Sequence, residues 1–208
     1  MRHILRPFVQ TSLPRSSFIN SDTSLVDLEK FREGLGLIHS HVKKTLSGVG
    51  EKETAEFVES ISSCRRIFHS GQGRSGLIAR CFAMRLMHMG FSSYVLGETT
   101  TPAIGAKDLL ILCSCSGRKK GSLQLARQAR QSGAIIFVLT AESDSPLARL
   151  AHHLIFFPVV LEKDLLREPL GSLFEQSLFL YLEGVVLFLM GKTGISEEEM
   201  LRRHANLE

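Results

Sequence analysis

Two hundred and eight residues, 44% apolar and 22% charged, suffice for one domain with an attached arm and exclude wholesale disorder. The net charge of +4 suits a small anionic ligand and is too slight to argue nucleic acid. Cys64, Cys81, Cys113 and Cys115 form no Cys-x-x-Cys pair, which argues against a zinc ribbon or thioredoxin motif and fits reduced thiols in the cytoplasm. The first twenty residues carry three arginines, no acid and no continuous apolar core, so they are not read as a secretory signal. Residues 1–21 are expected to be a flexible extension, and 22–208 a single domain.

Helix-starting residues Asp22, Thr23 and Ser24 precede Leu25, Leu28, Phe31, Leu35, Ile38, Val42 and Leu46. Their three- and four-residue steps predict a long amphipathic helix. A second helix is expected over residues 53–64, with Ala55, Val58 and Ile61 inward. A short strand at 66–70 leads through a glycine-rich turn into a helix over 75–89, which Gly90 ends. Four more strand-like runs follow at 93–96, 109–114, 134–140 and 154–160. The runs at 109–114 and 134–140 are almost wholly apolar, as strands covered on both faces are. Helical stretches at 122–131 and 145–151 lie between some of them. This alternation predicts a parallel sheet in an α/β sandwich. A charged loop at 162–168 then precedes an apolar run over 173–190, which Glu175 and Glu183 interrupt. That run reads as a buried helix and not as a membrane span. Ser196 with Glu199 has the spacing of a capping box, opening a final short helix that reaches toward His204.

Two loops have phosphate-binding chemistry. The first is GQGRSG, residues 71–76, between a strand and a helix. Its glycines permit a tight turn and close approach of a ligand, and the helix behind it offers free N–H groups to an anion. The same letters spell GxGxxG, with Glu98 some twenty residues on, so a dinucleotide site and a merely structural turn stand as alternatives. The second loop, SCSGRKK at 114–120, presents small hydroxyls at Ser114 and Ser116 beside Arg118, Lys119 and Lys120. These basic residues also fit a solvated helix start. Two loops at the ends of neighbouring strands suit one compact phosphate better than an extended dinucleotide, so a phosphosugar is favoured over NAD.

The order of GQGRSG, FAMRLMHMGF (82–91), GETTTP (97–102), PLGSLFEQ (169–176) and RHANLE (203–208) resembles the 6-phospho-3-hexuloisomerases of the sugar isomerase (SIS) domain group. The resemblance runs from about residue 24 to the last residue. It implies a flavodoxin-like SIS fold, a three-layer sandwich around a five-stranded parallel sheet. It implies interconversion of D-arabino-3-hexulose 6-phosphate and fructose 6-phosphate in formaldehyde fixation by the ribulose monophosphate route, with no cofactor and a homotetramer. Carried onto this chain, it implies that Gly73, Ser75, Ser114 and Ser116 hold the phosphate and that Arg74 sits beside the substrate. Glu175 matches the glutamate of the catalytic helix, and His204 falls in the terminal motif. Where the family reads SGSGET, this chain has Cys115 for a glycine, Arg118 for the glutamate and Lys119 for a threonine. Cys115 is expected to crowd the backbone near the phosphate, and Lys119 to replace a hydroxyl with a charge. A phosphosugar sensor without turnover and an SIS isomerase of different substrate are the alternatives that this basic loop keeps open.

Moving a carbonyl from C3 to C2 requires a proton taken from one carbon and returned to its neighbour through an enediol(ate), which one carboxylate can do. Glu175 is the expected base; its alternative is an acid placed at a helix start for the dipole alone. His204 is the expected proton carrier between the two oxygens, acting within its own chain or in a neighbour; its alternative is a helix-end packing residue. Glu98, with Thr99, either binds sugar hydroxyls or only fixes the turn after the second strand. His88 reads as a core histidine, and Met84, Met87 and Met89 as core filling. His152 and His153 precede a strand, where adjacent residues point apart, so no metal site is expected. The apolar surplus of the helix at 173–190 predicts association of identical copies as a dimer of dimers, with no nucleic acid or membrane partner.

Overall fold

The protein was analysed as a computed structural model that describes residues 23–159 and 169–207. The expected N-terminal extension, the charged loop at 162–168 and Glu208 lie outside the described residues. The chain forms two compact units, 1–37 and 38–208, whose boundary falls within helix α1 (Thr23–Ser47). The first unit presents Leu28, Phe31 and Leu35 to solvent.

In the second unit the order is α2 (Glu51–Ser63), β1 (Ile67–Gly71), α3 (Arg74–His88), β2 (Ser93–Val95), β3 (Leu109–Cys113), α4 (Lys120–Gln131), β4 (Ile135–Thr140), β5 (His153–Phe156), α5 (Ser172–Thr193) and α6 (Glu197–Arg202). All five strands are parallel, in the order β2-β1-β3-β4-β5. This is the five-stranded parallel sheet expected from the alternation of elements. Side chains alternate across it. Ile67, Ile111, Phe137 and Ile155 face a core built with Phe57, Phe82, Leu178 and Tyr181 of α2, α3 and α5. Phe68, Leu110, Leu112 and Val138 face the opposite core, closed by Ala126 and Ala129 of α4 and by Leu147. The apolar runs of β3 and β4 are therefore buried from both sides, as their composition required.

Helix α5 is long and apolar enough, by length and composition alone, to cross a membrane, with a mean hydropathy of 1.6. It lies instead against the first core through residues that include Phe174, Leu178, Leu182, Val185 and Leu189. Gly194, left-handed at φ +73°, ends it a turn beyond the expected boundary. The capping box at Ser196 is present: its Oγ accepts from the Glu199 N–H at 3.2 Å, and the Glu199 carboxylate accepts from the Ser196 N–H at 3.0 Å.

Two expectations are corrected. The helix expected over 145–151 shrinks to a single 3₁₀ turn at Ala148–Leu150. The Ser145 hydroxyl caps the Ala148 N–H at 3.2 Å, but the His152 N–H already donates to the Ile136 carbonyl at 3.0 Å, so the ladder to β4 leaves room for one turn only. The strand expected over 154–160 is β5, ending at Phe156, and it includes His153. Pro158 has no N–H for the ladder, and Val159 donates back to the Phe157 carbonyl.

At the amino ends of β1 and β3 a buried carboxylate ties the sheet together. Asp108, fully buried, accepts from Arg66 at 2.7 and 3.1 Å, from Arg65 at 3.1 and 3.3 Å and from the Gly105 N–H at 2.8 Å. Burial pushes its carboxyl up, but the hydrogen bonds from Arg66, Arg65 and Gly105 outweigh burial and hold it at about 2, against an ordinary 3.8.

Candidate active site

The chain passes from β1 to β2 on one side and returns to β3 on the other, so the loops that follow β1 and β3 diverge at a switch point. Such points hold ligands in open α/β sheets. Gly71 pairs with Cys113 in the register, so both loops leave the sheet side by side.

The first loop requires its glycines. A Cβ on Gly71 would come 2.8 Å from the Gly76 nitrogen, and one on Gly76 would come 2.5 Å from the Gly71 oxygen. Gly73, at φ +60°, opens α3 without any side-chain cap, so the first turn presents its N–H groups and positive dipole end. Ser75 is buried in that turn, and Arg74 reaches across the mouth. Gln72, which the sequence reading did not single out, lies over the first turn of α4: a Cβ on Gly121 would meet its Nε2 at 2.6 Å.

The second loop is braced from behind. Ser114 Oγ accepts from the Gly117 N–H at 3.2 Å, which leaves its own proton free for an anion. Gly117, at φ +59°, lies against Ser145, and its carbonyl accepts from Leu147 N–H at 3.1 Å. The Cys115 carbonyl accepts from Thr140 Oγ1 at 3.0 Å and Ala141 N–H at 3.1 Å. Among the described residues only Lys107 and Leu170 are non-glycines with positive φ, so the backbone at 115 accepts a side chain. The thiol turns toward α5, where a Cβ on Gly171 would meet its Sγ at 3.5 Å. Burial raises this thiol, and the nearby Glu175 and Glu142 add to the effect. Ser116 is half-buried in the same loop, and Lys119 is exposed at the position just before α4, also without a side-chain cap.

The start of α5 completes the arrangement. Gly171, at φ +108°, turns the chain into the helix, and Glu175 sits in its first turn with a side chain 16% exposed. Arg74 Nε meets Glu175 Oε2 at 2.9 Å, and Arg74 Nη1 donates to Ser172 Oγ at 3.3 Å. Thus a carboxylate, a guanidinium and two helix N-termini converge on the carboxyl ends of β1 and β3. The arrangement can hold an anion on the loops while a carboxylate stands beside it.

Other expected residues lie apart. Glu98 Oε1 accepts from Arg80 Nη1 at 2.6 Å beyond β2, and Thr99 is exposed next to it. His204 follows α6 and rests on His88, the last residue of α3, with ring centroids 5.1 Å apart. Arg74 is the first residue of α3, so the two ends stand roughly 20 Å apart at 1.5 Å per residue. One chain therefore does not bring His204 to Glu175. His152 serves structure, its Nδ1 accepting from the Ile136 N–H at 3.0 Å, while His153 Nδ1 lies 3.3 Å from Glu56.

Residues 60–181 match the SIS domain family model. The chain belongs to the SIS domain family. Among SIS relatives, the 3-hexulose-6-phosphate isomerase of Mycobacterium gastri is 42% identical, over 84% of this chain and 89% of its own. The 3-hexulose-6-phosphate isomerase of Bacillus subtilis is 37% identical, over 86% of this chain and all of its own. A solved structure of a hypothetical protein from Methanococcus jannaschii, which infers a molecular function of 3-hexulose-6-phosphate isomerase, superposes with a TM-score of 0.77 at 36% identity. That superposition covers 85% of this chain and 99% of the other. The five-stranded parallel sheet with flanking helices is thus the SIS fold that the motifs implied.

Proposed function

We propose that this protein is a 6-phospho-3-hexuloisomerase, interconverting D-arabino-3-hexulose 6-phosphate and fructose 6-phosphate in the ribulose monophosphate route. The observation that carries this reading is the meeting of Glu175 and Arg74 beside the two loops, in a chain with isomerase relatives at 37–42% identity. The phosphate sits on Gly73, Ser75, Ser114 and Ser116, with Lys119 at the open edge supplying charge. Glu175 takes the proton from C2 of the 3-hexulose and returns it to C3 by way of a 2,3-enediolate. Meanwhile O3 gains a proton and O2 loses one. Phosphate drawn onto the loops competes for Arg74 and frees the carboxylate. No redox partner enters, because the carbon oxidised and the carbon reduced are neighbours in one molecule.

His204 moves the proton between O2 and O3 from a neighbouring copy of the chain, since its own Glu175 is out of reach. Glu98 and Thr99 bind sugar hydroxyls after Arg80 releases Glu98. The compartment is the cytoplasm, in keeping with four free cysteines. The test is deuterium uptake from solvent at C3 of fructose 6-phosphate, with formation of the 3-hexulose. Binding without exchange would favour a phosphosugar sensor instead, the reading suggested by Arg118, Lys119 and Lys120.

Ser75→Ala is expected to weaken fructose 6-phosphate binding by roughly tenfold or more, since a hydrogen bond to a charged acceptor contributes about 1.5–3 kcal/mol. Equal affinity of variant and wild type by calorimetry would remove Ser75 from the phosphate site.

The assembly is a homotetramer. Helix α5 leaves Phe179, Leu180, Leu187 and Phe188 exposed on the side away from the core. Leu180 and Phe188 also border a cavity of about 460 Å³ shared with Val49, Ala55 and Val58. A second copy would cover this apolar surface. Wild type is expected to sediment as a tetramer at micromolar concentration, and Leu187→Glu with Phe188→Glu as a smaller species. A monomeric wild type would overturn the assembly.

A further inference from the structure

The segment after α6 is tied to the C-terminal end of α3 by specific hydrogen bonds. Arg203 Nη1 donates to the His88 carbonyl at 3.2 Å and to the Glu199 carbonyl at 3.4 Å. Its guanidinium lies against Gly90, just past the end of α3, where a Cβ would stand 3.4 Å from it. The His204 N–H closes on the Leu201 carbonyl at 3.1 Å. The backbone on either side of the imidazole is therefore fixed, while the residue itself remains exposed.

The ring is fixed as well. His204 Nδ1 lies 3.1 Å from the Ala205 carbonyl. A carbonyl only accepts, so Nδ1 carries the proton, and in the neutral ring Nε2 is left as the basic atom. Beneath the ring lies His88, 3% exposed, its plane inclined by 30° to that of His204. Burial disfavours the charged form of His88, and the neighbouring His204 and Arg85 act in the same direction. His204 thus rests on the ring of a buried histidine whose charged form burial disfavours. Arg85, Glu197 and Glu198 border the same cleft as both rings.

We infer that His88 is a positioning residue that presents the His204 imidazole, with Arg203 as the tie that holds both in place. The inference rests on the proposed role of His204. Without His88 the imidazole has no surface to stack on, and its proton transfer suffers while phosphate binding at the far end of α3 does not.

The experiment is a kinetic cycle on the full-length protein with fructose 6-phosphate. His88→Ala is expected to lower kcat about tenfold with KM within about twofold of wild type, and His88→Phe, which keeps a flat ring, to recover most of the loss. In a His204→Ala background, His88→Ala is expected to cost nothing further, because the two residues act as one unit. Should His88→Ala fail to fold, His88→Phe beside His88→Leu makes the same comparison of flat ring against branched chain. Equal losses from His88→Ala in the presence and absence of His204 would overturn the inference alone. A KM effect in place of a kcat effect would also overturn it. An unchanged kcat in His204→Ala would overturn the role of His204, and this inference with it.

Discussion

Glu175→Gln is expected to reduce turnover of fructose 6-phosphate roughly 10²–10⁴-fold, the usual contribution of a positioned general base. The amide keeps the size of the carboxylate and an oxygen that can accept from Arg74, which now meets Glu175 Oε2 at 2.9 Å. The fold and the anion-binding loops are left intact, so calorimetry is expected to show substrate affinity within a few-fold of wild type. A drop in kcat without a drop in affinity is what loss of the base alone produces. A rate close to wild type would take Glu175 out of the chemistry and leave it as an acid at a helix start.

Asp108→Asn is expected to lower the melting temperature at pH 7 by roughly 5–10 °C, corresponding to about 2–3 kcal/mol for disrupting a buried, multiply hydrogen-bonded carboxylate. Asn cannot accept from Arg65, Arg66 and Gly105 together, and it leaves two guanidinium groups without their counter-charge. The carboxyl is held at about 2 in the folded chain, below its ordinary 3.8. A depressed value stabilises the fold above the ordinary value and ceases to do so as the folded form takes up its proton. The difference between wild type and variant is therefore expected to shrink as pH falls from about 4 toward 2. Equal melting temperatures at pH 7 would show that the cluster is not a stability element. Activity of the surviving fold is expected to change little, because Asp108 lies at the end of β3 opposite the active-site loops.

Much of this architecture was legible in the chain. The unbroken apolar runs of β3 and β4 announced strands covered on both faces, and the glycines of the first loop marked its turn. The capping box at Ser196 was found by spacing alone, because its chemistry is local. The Asp108 cluster was not legible, since its two arginine partners stand more than forty positions away and nothing nearby distinguishes this acid from any other. Gln72 was missed for a similar reason: its position over α4 depends on the crossover between β1 and β3. The turn at 145–151 misled because its composition is helical, while the pairing of His152 with Ile136 that cuts it short is a contact across the sheet that composition does not carry. Arg74 and Glu175, a hundred residues apart, were linked by the family resemblance and brought within 2.9 Å by the fold.

The reciprocal fit of Gly71 and Gly76 bears on how the site can change over generations. Each glycine occupies the space that a side chain on the other's position would need, and the obstacle in both cases is main chain, which no rotamer shift can clear. Replacing both relieves neither. Gln72 and Arg74 are exposed between them, so these two can be exchanged while the path of the chain and the buried Ser75 stay the same. A lineage built on this turn can therefore alter which sugar it accepts one residue at a time, with the anion cradle carried unchanged through every intermediate.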